Sequence, residues 1–395
     1  MVTSEPDRWD GGLPGQPGIL ELLASGRVSS RTDIARELGL AASTVSLRVQ
    51  ELIDAGLVVE SGSGRSTGGR RPKVLRIDPD AGHVLAADLG GHHVRFARLD
   101  LLGNLQAVEE IAIDVADGPE VVLDQMSAQL TAMHEAAGGV LRGVAACLPG
   151  PVDAAAGCVD SPSRMPGWHR FPVRERLAER FGVPCVVDND ANLMALAEHR
   201  NLPGARHSLL VKAGAAIGCG LIIGGDIYRG GTGAAGDITH VRVAAAGDRA
   251  CSCGNVGCLE TIASGSALVR SLRENGHDVA TTTDVVRAAM DGEPLATTTV
   301  RRAGRSLGET LSPVVNFVNP DAVFLAGLLS TVEPFVAAVR SQLYEGCHPL
   351  ATRDLQIVQA GTGADAGVIG AGRLILTQVL AGTDTSVPVT SESLS

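Results

Sequence analysis

The sequence predicts an α/β protein in which a small helical module precedes a larger part made of two similar halves. The chain has 395 residues and 45% of them are hydrophobic, enough for two or three packed domains. It holds 49 glycines and only 3% aromatic residues, a balance that suits tightly turned α/β structure. Three short helical patterns come first, and strands alternate with turns and helices after residue 84.

The first predicted domain, residues 18–78, reads as three helices followed by a hairpin. Apolar residues form one face of the first helix, Ser30 or Thr32 can cap the second, and Gly39 ends it. A third helix begins near Ala42, and two short strands then flank a tip rich in glycine, serine and arginine. This order of elements is the outline of a winged helix-turn-helix.

This module carries basic charge on an otherwise acidic chain. The net charge is −11, yet the segment from Ser61 to Arg76 has five basic residues and no acid, which indicates contact with a polyanion. We therefore predict double-stranded operator DNA as a partner, with the third helix in the major groove. The alternative is a three-helix packing module with a solvated basic loop. The predicted contacts are Ser43, Thr44, Ser46 and Arg48 on the helix, and Arg65, Arg70, Arg71 and Lys73 on the wing.

Residues 79–380 form the second predicted domain. Two sets of elements each open with a strand, a glycine-rich turn and another strand, so we expect a duplicated architecture with a cleft between the halves. Residues 1–17 and the polar tail 381–395 are predicted to be disordered. The expected strands are 84–89, 94–99, 107–113, 140–147, 185–187, 209–212, 219–223 and 322–325, and the expected helical regions are 118–137, 193–198 and 264–315.

Targeting signals are lacking in the sequence pattern. No apolar run was found that approaches the roughly 18–20 residues of a membrane span, and residues 1–17 have no signal-peptide core. A cytoplasmic protein with no membrane partner is therefore expected. Its eight cysteines would then be reduced, so clustered cysteines are better explained as metal ligands than as disulfides.

One such cluster is the strongest local motif. His240 precedes Cys251, Cys253 and Cys258, and the glycines around them allow a tight loop at 240–260. Three thiolates and one imidazole make a tetrahedral zinc set with no open position, so a structural zinc ion is predicted. The alternative is a loop of three reduced cysteines.

Polar residues follow a short apolar strand in the run Asp188-Asn-Asp-Ala-Asn192. Ligands bind at the carboxyl ends of strands in α/β proteins, where an Asp can act as a general base or bind a sugar hydroxyl. The same residues could simply cap the next helix. Two glycine-rich turns, after Asp88 and from Gly214 to Gly220, could approach phosphates or could be ordinary hairpins.

Taken together, these residues resemble the ROK family, which includes sugar-dependent repressors and sugar kinases. The likeness covers roughly residues 18–375, and Gly69-Arg-Arg-Pro72 after the winged helix resembles the repressor branch. It implies an actin-like, hexokinase-type fold with two ribonuclease-H-like lobes. The motifs are Asp88-Leu-Gly-Gly, Leu148-Pro-Gly-Pro-Val-Asp153, Met165-Pro-Gly-Trp168, Asn189-Asp190-Ala-Asn192, Gly236-Asp-Ile-Thr-His240 and the cysteine loop.

The resemblance also implies roles for single residues. Asn189 matches a sugar-binding Asn, Asp190 matches the base that deprotonates the sugar hydroxyl in the kinases, and His240 and Glu260 match further sugar contacts. Asp237 stands where the family usually has Glu, and because Asp is one methylene shorter, the alternatives are a lost sugar contact or a different ligand. The nucleotide positions are Asp88, Gly90, Gly91, Gly214 and Gly327.

Three departures oppose kinase activity. His92 stands where kinases have Thr, Ala215-Ala216 replaces Thr-Gly, and Ala326-Gly327 replaces Gly-Gly. These changes remove phosphate donors and close backbone approach, so ATP and Mg²⁺ are not expected as cofactors. The sequence therefore favours a sugar-responsive DNA-binding regulator, a repressor of carbohydrate genes that acts as a homodimer or homotetramer. The alternatives are an ATP-dependent sugar kinase with an appended DNA-binding domain, and a regulator that senses a phosphorylated sugar or none.

Overall fold

The computed structural model describes residues 18–63, 73–163 and 165–382. The predicted wing contacts Arg65, Arg70 and Arg71 lie outside these residues, as do the predicted disordered ends except for Ala381 and Gly382, which complete the last helix.

The N-terminal module has the helix order that the sequence predicts. The Ser30 hydroxyl accepts a hydrogen bond from the Asp33 N–H, and Gly39 ends the second helix in the left-handed conformation. The cap at Ser30 and the helix end at Gly39 could be predicted from the sequence because both depend on local backbone chemistry. The elements are α1 (Ile19–Ala24), α2 (Arg31–Leu38), α3 (Ala42–Asp54), β1 (Val58–Ser63) and β2 (Lys73–Ile77).

The first lobe is built on a five-stranded sheet with the strand order β5-β4-β3-β6-β9. Its elements are β3 (His83–Leu89), β4 (His93–Asp100), β5 (Leu105–Ala112), α4 (Pro119–Ala137), β6 (Leu141–Leu148), β7 (Val152–Asp153), β8 (Cys158–Val159), α5 (Val173–Phe181) and β9 (Cys185–Asn189).

The second lobe repeats this plan with the strand order β12-β11-β10-β13-β14. Its strands are β10 (His207–Ala213), β11 (Ile217–Ile223), β12 (Asp226–Ile227), β13 (Ala322–Ala326) and β14 (Gln356–Gln359). The helices that follow β9 in the chain are α6 (Asp190–Arg200), α7 (Glu260–Ala263), α8 (Gly265–Glu274), α9 (Thr282–Met290), α10 (Pro294–Val318), α11 (Glu333–Gly346), α12 (Pro349–Thr352) and α13 (Ala366–Gly382).

Strand directions confirm the predicted duplication. In the first sheet β3 pairs antiparallel with β4 and parallel with β6, and β10 pairs in the same two ways with β11 and β13. The next strand out, β9 or β14, is again parallel. The chain therefore has the two-lobed α/β architecture that the resemblance implies.

The last helix connects three parts of the molecule. Apolar residues of α13, including Leu376 and Leu380, share one buried core with the first-lobe sheet and with Ile19 and Leu20 of α1. Residues 363–381 are also long and apolar enough for a membrane span, with a mean hydropathy of 1.3, so the expectation that no apolar run approaches this length was wrong. More than half of that segment is buried in the protein core, which accounts for its apolar composition.

Candidate functional site

A cavity of about 540 Å³ lies between the two lobes, and its walls come from both. It brings together all five predicted sugar-binding residues and two of the predicted nucleotide glycines. These residues are Asn189, Asp190, Asp237, His240, Glu260, Gly90 and Gly91. Asp88, Gly214 and Gly327 do not line the cavity; Gly327 instead packs against the backbone of Ala213.

Asn189 and Asp190 meet the cavity at the start of α6. The Asn189 side chain accepts hydrogen bonds from the N–H groups of Ala191 and Asn192, so it caps the helix, and it donates to the carbonyl of Gly150 at 2.8 Å. The capping alternative is therefore part of the arrangement, because the cap is what fixes this side chain at the cavity wall. Asp190 follows as the first helical residue, with its side chain 13% exposed.

Lys212 on β10 reaches Asp190 across the cavity. Its Nζ donates to Asp190 Oδ2 at 2.5 Å, while Asp190 Oδ1 accepts the N–H of Ala191 at 2.7 Å. Lys212 was not among the residues predicted to form the site. The available signal was its rarity, since Lys73 and Lys212 are the only lysines in the chain, and its place within an otherwise apolar strand.

A buried carboxylate supports this corner of the cavity. Asp188 is 1% exposed, and its Oδ2 accepts two hydrogen bonds from Arg229 of the second lobe, at 2.8 and 2.5 Å. Its Oδ1 accepts the Asn189 N–H and the Asn192 amide. Asp188 therefore positions the cavity residues Asn189 and Asn192, and its ion pair with Arg229 connects the first lobe to the second.

Asn192 also has an unused acceptor. Its side chain is buried and lines the cavity, and its Oδ1 has no hydrogen-bond partner among the described residues. A buried acceptor without a partner costs about 1–3 kcal/mol, so it favours a ligand or water that donates at this point.

The opposite wall is organised by Glu260 at the start of α7. Its side chain is buried, and Oε2 accepts the N–H of Ile217 at 3.0 Å, where β11 begins. Its own N–H donates to the carbonyl of Thr239, next to His240. Asp237 is the exposed carboxylate of this wall.

The four predicted zinc ligands converge on one point. The ligand atoms of His240, Cys251, Cys253 and Cys258 all lie within 4.8 Å of one another. His240 Nδ1 is 3.5 Å from Cys251 Sγ, and Cys253 Sγ is 3.7 Å from Cys258 Sγ. Tetrahedral zinc, with Zn–S bonds of about 2.3 Å and Zn–N bonds of about 2.0 Å, requires N–S and S–S separations of about 3.5 and 3.8 Å. The described residues therefore contain a cluster of four side chains that could hold a metal ion, with a spacing that fits zinc.

Both glycine-rich turns are tips of hairpins that reach the cavity. The Gly90 N–H donates to the His93 carbonyl, and the Gly214 N–H donates to the Ala216 carbonyl. Both turns are therefore hairpins. Ala215 and Ala216, at the positions where the resemblance implies Thr-Gly in the kinases, line the cavity.

The predicted DNA-reading residues lie on the outer face of α3. Val45 and Val49 are buried, whereas Ser43 and Ser46 are exposed and Thr44 and Arg48 are half-buried. Lys73 on the wing is exposed but forms an ion pair with Glu60 on the facing strand. Hydrogen bonds from Lys73 and then from Arg31 lower the pKa of Glu60, so part of the wing charge is neutralised within the hairpin.

Curated relatives match most of the chain. The xylose repressor of Bacillus spizizenii (strain ATCC 23059 / NRRL B-14472 / W23) is 28% identical over 369 residues, which cover 92% of this chain and 94% of the relative. The N-acetylglucosamine repressor of Escherichia coli O157:H7 is 31% identical over 317 residues, or 77% of this chain and 78% of the relative.

A solved structure and two family models point to the same kind of protein as these relatives. A crystal structure described as a ROK family transcriptional regulator, homologous to the E. coli MLC protein, has a TM-score of 0.78 and 25% identity and covers 93% of this chain and 96% of its own. Residues 17–59 match the winged helix-turn-helix DNA-binding family. Residues 84–378, three quarters of the chain, match the ROK family model, and the chain belongs to the ROK family.

Proposed function

We propose that this protein is a cytoplasmic, sugar-responsive transcriptional regulator that represses genes of carbohydrate uptake or catabolism. One observation carries the proposal: the five residues at the positions of the family's sugar contacts line a single cavity between the lobes. The same chain has a DNA-binding module whose third helix exposes Ser43 and Ser46. Two relatives of the chain are named a xylose repressor and an N-acetylglucosamine repressor.

The chemistry of the cavity suits a neutral sugar. Asp190, Asp237 and Glu260 offer carboxylate acceptors, and Asn192 Oδ1 offers an acceptor that has no partner among the described side chains. Sugar hydroxyls can donate to all of these groups, whereas the prevailing negative charge opposes a phosphorylated ligand.

We propose zinc as the structural ion of the cysteine cluster. His240 points its Nδ1 toward the Cys251 thiol, so Nε2 is the ring nitrogen that remains available to the cavity. Zinc supplies a rigid cross-link, and a rigid loop holds His240 and Asp237 at the wall where a sugar would bind.

Helices supply a route from the cavity to the DNA-binding module. Asp190 begins α6, and near the other end of α6 Arg373 of α13 donates to the Ala197 carbonyl at 2.6 Å and to Asn201 Oδ1 at 3.2 Å. The far end of α13 then packs against α1 through Leu380. Closure of the lobes around a sugar would move α6 and hence the module, and a coupling of about 1–3 kcal/mol changes operator affinity about 5- to 150-fold. Two modules in a homodimer or homotetramer would read a palindromic operator.

The test is fluorescence anisotropy of the zinc-loaded chain on DNA from upstream of its own gene, titrated with xylose, N-acetylglucosamine and glucose. We expect salt-sensitive binding that one of these sugars changes. Asp237→Asn should remove the sugar response and keep DNA binding, whereas Asp248→Asn, an exposed carboxylate outside the cavity, should change neither. Arg48→Ala should weaken DNA binding more than the exposed Arg353→Ala. A chain that binds no upstream DNA in any sugar state contradicts the proposal.

Sugar phosphorylation is the second candidate, favoured by one observation: Asp190, which matches the kinase base, lines the cavity. A coupled assay for ATP consumption with a panel of hexoses separates the two functions. Turnover that Asp190→Asn abolishes would establish a kinase, and no turnover with any sugar would support the regulator.

A further inference from the structure

Lys212 carries a charge that the sensing function does not use. Its side chain is one-third exposed and extends from β10 of the second lobe to Asp190, at the start of α6. The ion pair is direct, with 2.5 Å between Nζ and Oδ2. Burial disfavours the charged ammonium, but the carboxylates of Asp190 and Asp88 outweigh burial and raise the pKa of Lys212. The single ammonium of Lys212 therefore balances part of the negative charge of two carboxylates, Asp190 and Asp88.

Asp88 is the second of these carboxylates. It lies at the end of β3, and its side chain abuts Gly367 in the first turn of α13, where there is no room for a Cβ. Burial raises the pKa of Asp88, the Lys212 ammonium opposes that rise, and the Asp190 carboxylate adds to it. Asp190 and Lys212 line the cavity, and Asp88, which does not line it, interacts with both of them electrostatically.

Two neighbouring carboxylates are the usual ligands of a divalent cation, which in kinases accompanies the nucleotide phosphates. Here the Lys212 ammonium, which is part of the chain itself, pairs directly with Asp190 and attracts the Asp88 carboxylate electrostatically. Mg²⁺ demands near-octahedral oxygen ligation, and an ammonium at 2.5 Å from Asp190 occupies the space of one ligand and repels the ion. The cluster therefore does not fit a divalent metal unless Lys212 moves away.

The first N–H groups of α8 are also unavailable to a nucleotide phosphate, for a separate reason. The first N–H groups of α8 face the second glycine-rich turn and could have cradled phosphate. Instead the Gly265 N–H donates to the Gly214 carbonyl, and the Ser266 N–H donates to the Ala215 carbonyl. The Ala267 N–H donates to the Ser264 hydroxyl, so these amides are already satisfied.

We propose that Lys212 is a built-in counter-ion that takes the place of a divalent cation between Asp88 and Asp190, so that the cavity holds its ligand without a metal–nucleotide complex. The positive charge beside Asp190 is then supplied by a side chain of the protein and not by a bound metal ion. The inference concerns metal binding alone, so its outcome is independent of whether the protein responds to a sugar.

The test measures Mn²⁺ binding to the full, zinc-saturated chain from the loss of the free-ion signal in electron paramagnetic resonance. The wild type should show no Mn²⁺ binding that depends on Asp88. Lys212→Met keeps the apolar stem and removes the charge, and it should raise Mn²⁺ affinity at least about tenfold. Adding Asp88→Asn to that variant should abolish the gain. Lys73→Met, which removes the only other lysine, should behave as the wild type.

Lys212→Arg keeps the positive charge and should also fail to bind Mn²⁺. Mn²⁺ binding by the wild type that Asp88→Asn abolishes overturns the proposal, and this comparison needs no change at Lys212. Equal Mn²⁺ affinity of folded Lys212→Met and wild type overturns it as well.

Discussion

The inter-lobe ion pair of Asp188 and Arg229 gives the sharpest test of how the cavity is held. In Arg229→Ala the Asp188 carboxylate, 1% exposed, would lose both guanidinium hydrogen bonds and keep only those from Asn189 and Asn192. Breaking a buried ion pair from one side costs about 3–5 kcal/mol, because a buried charge is left unpaired. Arg229 is itself 34% exposed, so we expect a loss of unfolding free energy at the low end, about 3 kcal/mol.

Urea denaturation of the zinc-loaded chain measures this loss. Trp168 is fully buried in the first lobe, with its indole N–H donating to the Val115 carbonyl, so its fluorescence reports that lobe. Adding Asp188→Asn to Arg229→Ala removes the stranded charge and should restore part of the stability. Arg242→Ala breaks an exposed pair with Asp248 and should change little. If Arg229→Ala loses no more than Arg242→Ala, the pair does not hold the lobes together.

Four further predictions follow from contacts elsewhere in the molecule. Chelation of the metal, or Cys251→Ser, should lower Tm in differential scanning fluorimetry and weaken the sugar response; an unchanged Tm would contradict a structural ion. Ser30→Ala should cost about 1 kcal/mol in urea denaturation because the cap of α2 is lost. Leu20→Ala should cost about 3 kcal/mol and weaken operator binding measured by anisotropy, since Leu20 is fully buried in the core shared with α13. Burial, then His134 and Arg98, lowers the pKa of His83 to about 4, so folding favours its neutral form. The stability from this residue should be complete above about pH 6.5 and lost as the pH falls toward 4, and His83→Asn should flatten that slope in urea titrations at pH 7 and pH 5.

Features that depend on a few neighbouring residues were predictable from the sequence. The limits of α2 follow from Ser30 and Gly39, and the four members of the candidate metal cluster follow from one short run of cysteines after His240. The duplicated sheets were also predictable, because a glycine-rich turn between two strands opens each half.

Features that depend on tertiary contacts were not predictable. Lys212 meets Asp190 from 22 residues away, and Arg229 meets Asp188 from 41 residues away, across two lobes whose closeness is set by the whole fold. Local patterns also could not show that the apolar α13 is a core helix, since its composition alone matches a membrane span. Its place became clear only from the sheet on which it packs.

The contact between α1 and α13 has a consequence for building hybrid proteins. Ile19 and Leu20 belong to the core that the last helix completes, although more than 350 residues of chain separate them from Leu380. Residues 18–78 are therefore not an interchangeable cassette. A chimera that takes this segment from a relative would need the matching face of α13 from the same parent. A cut at residue 78 alone would leave two mismatched apolar surfaces at the joint.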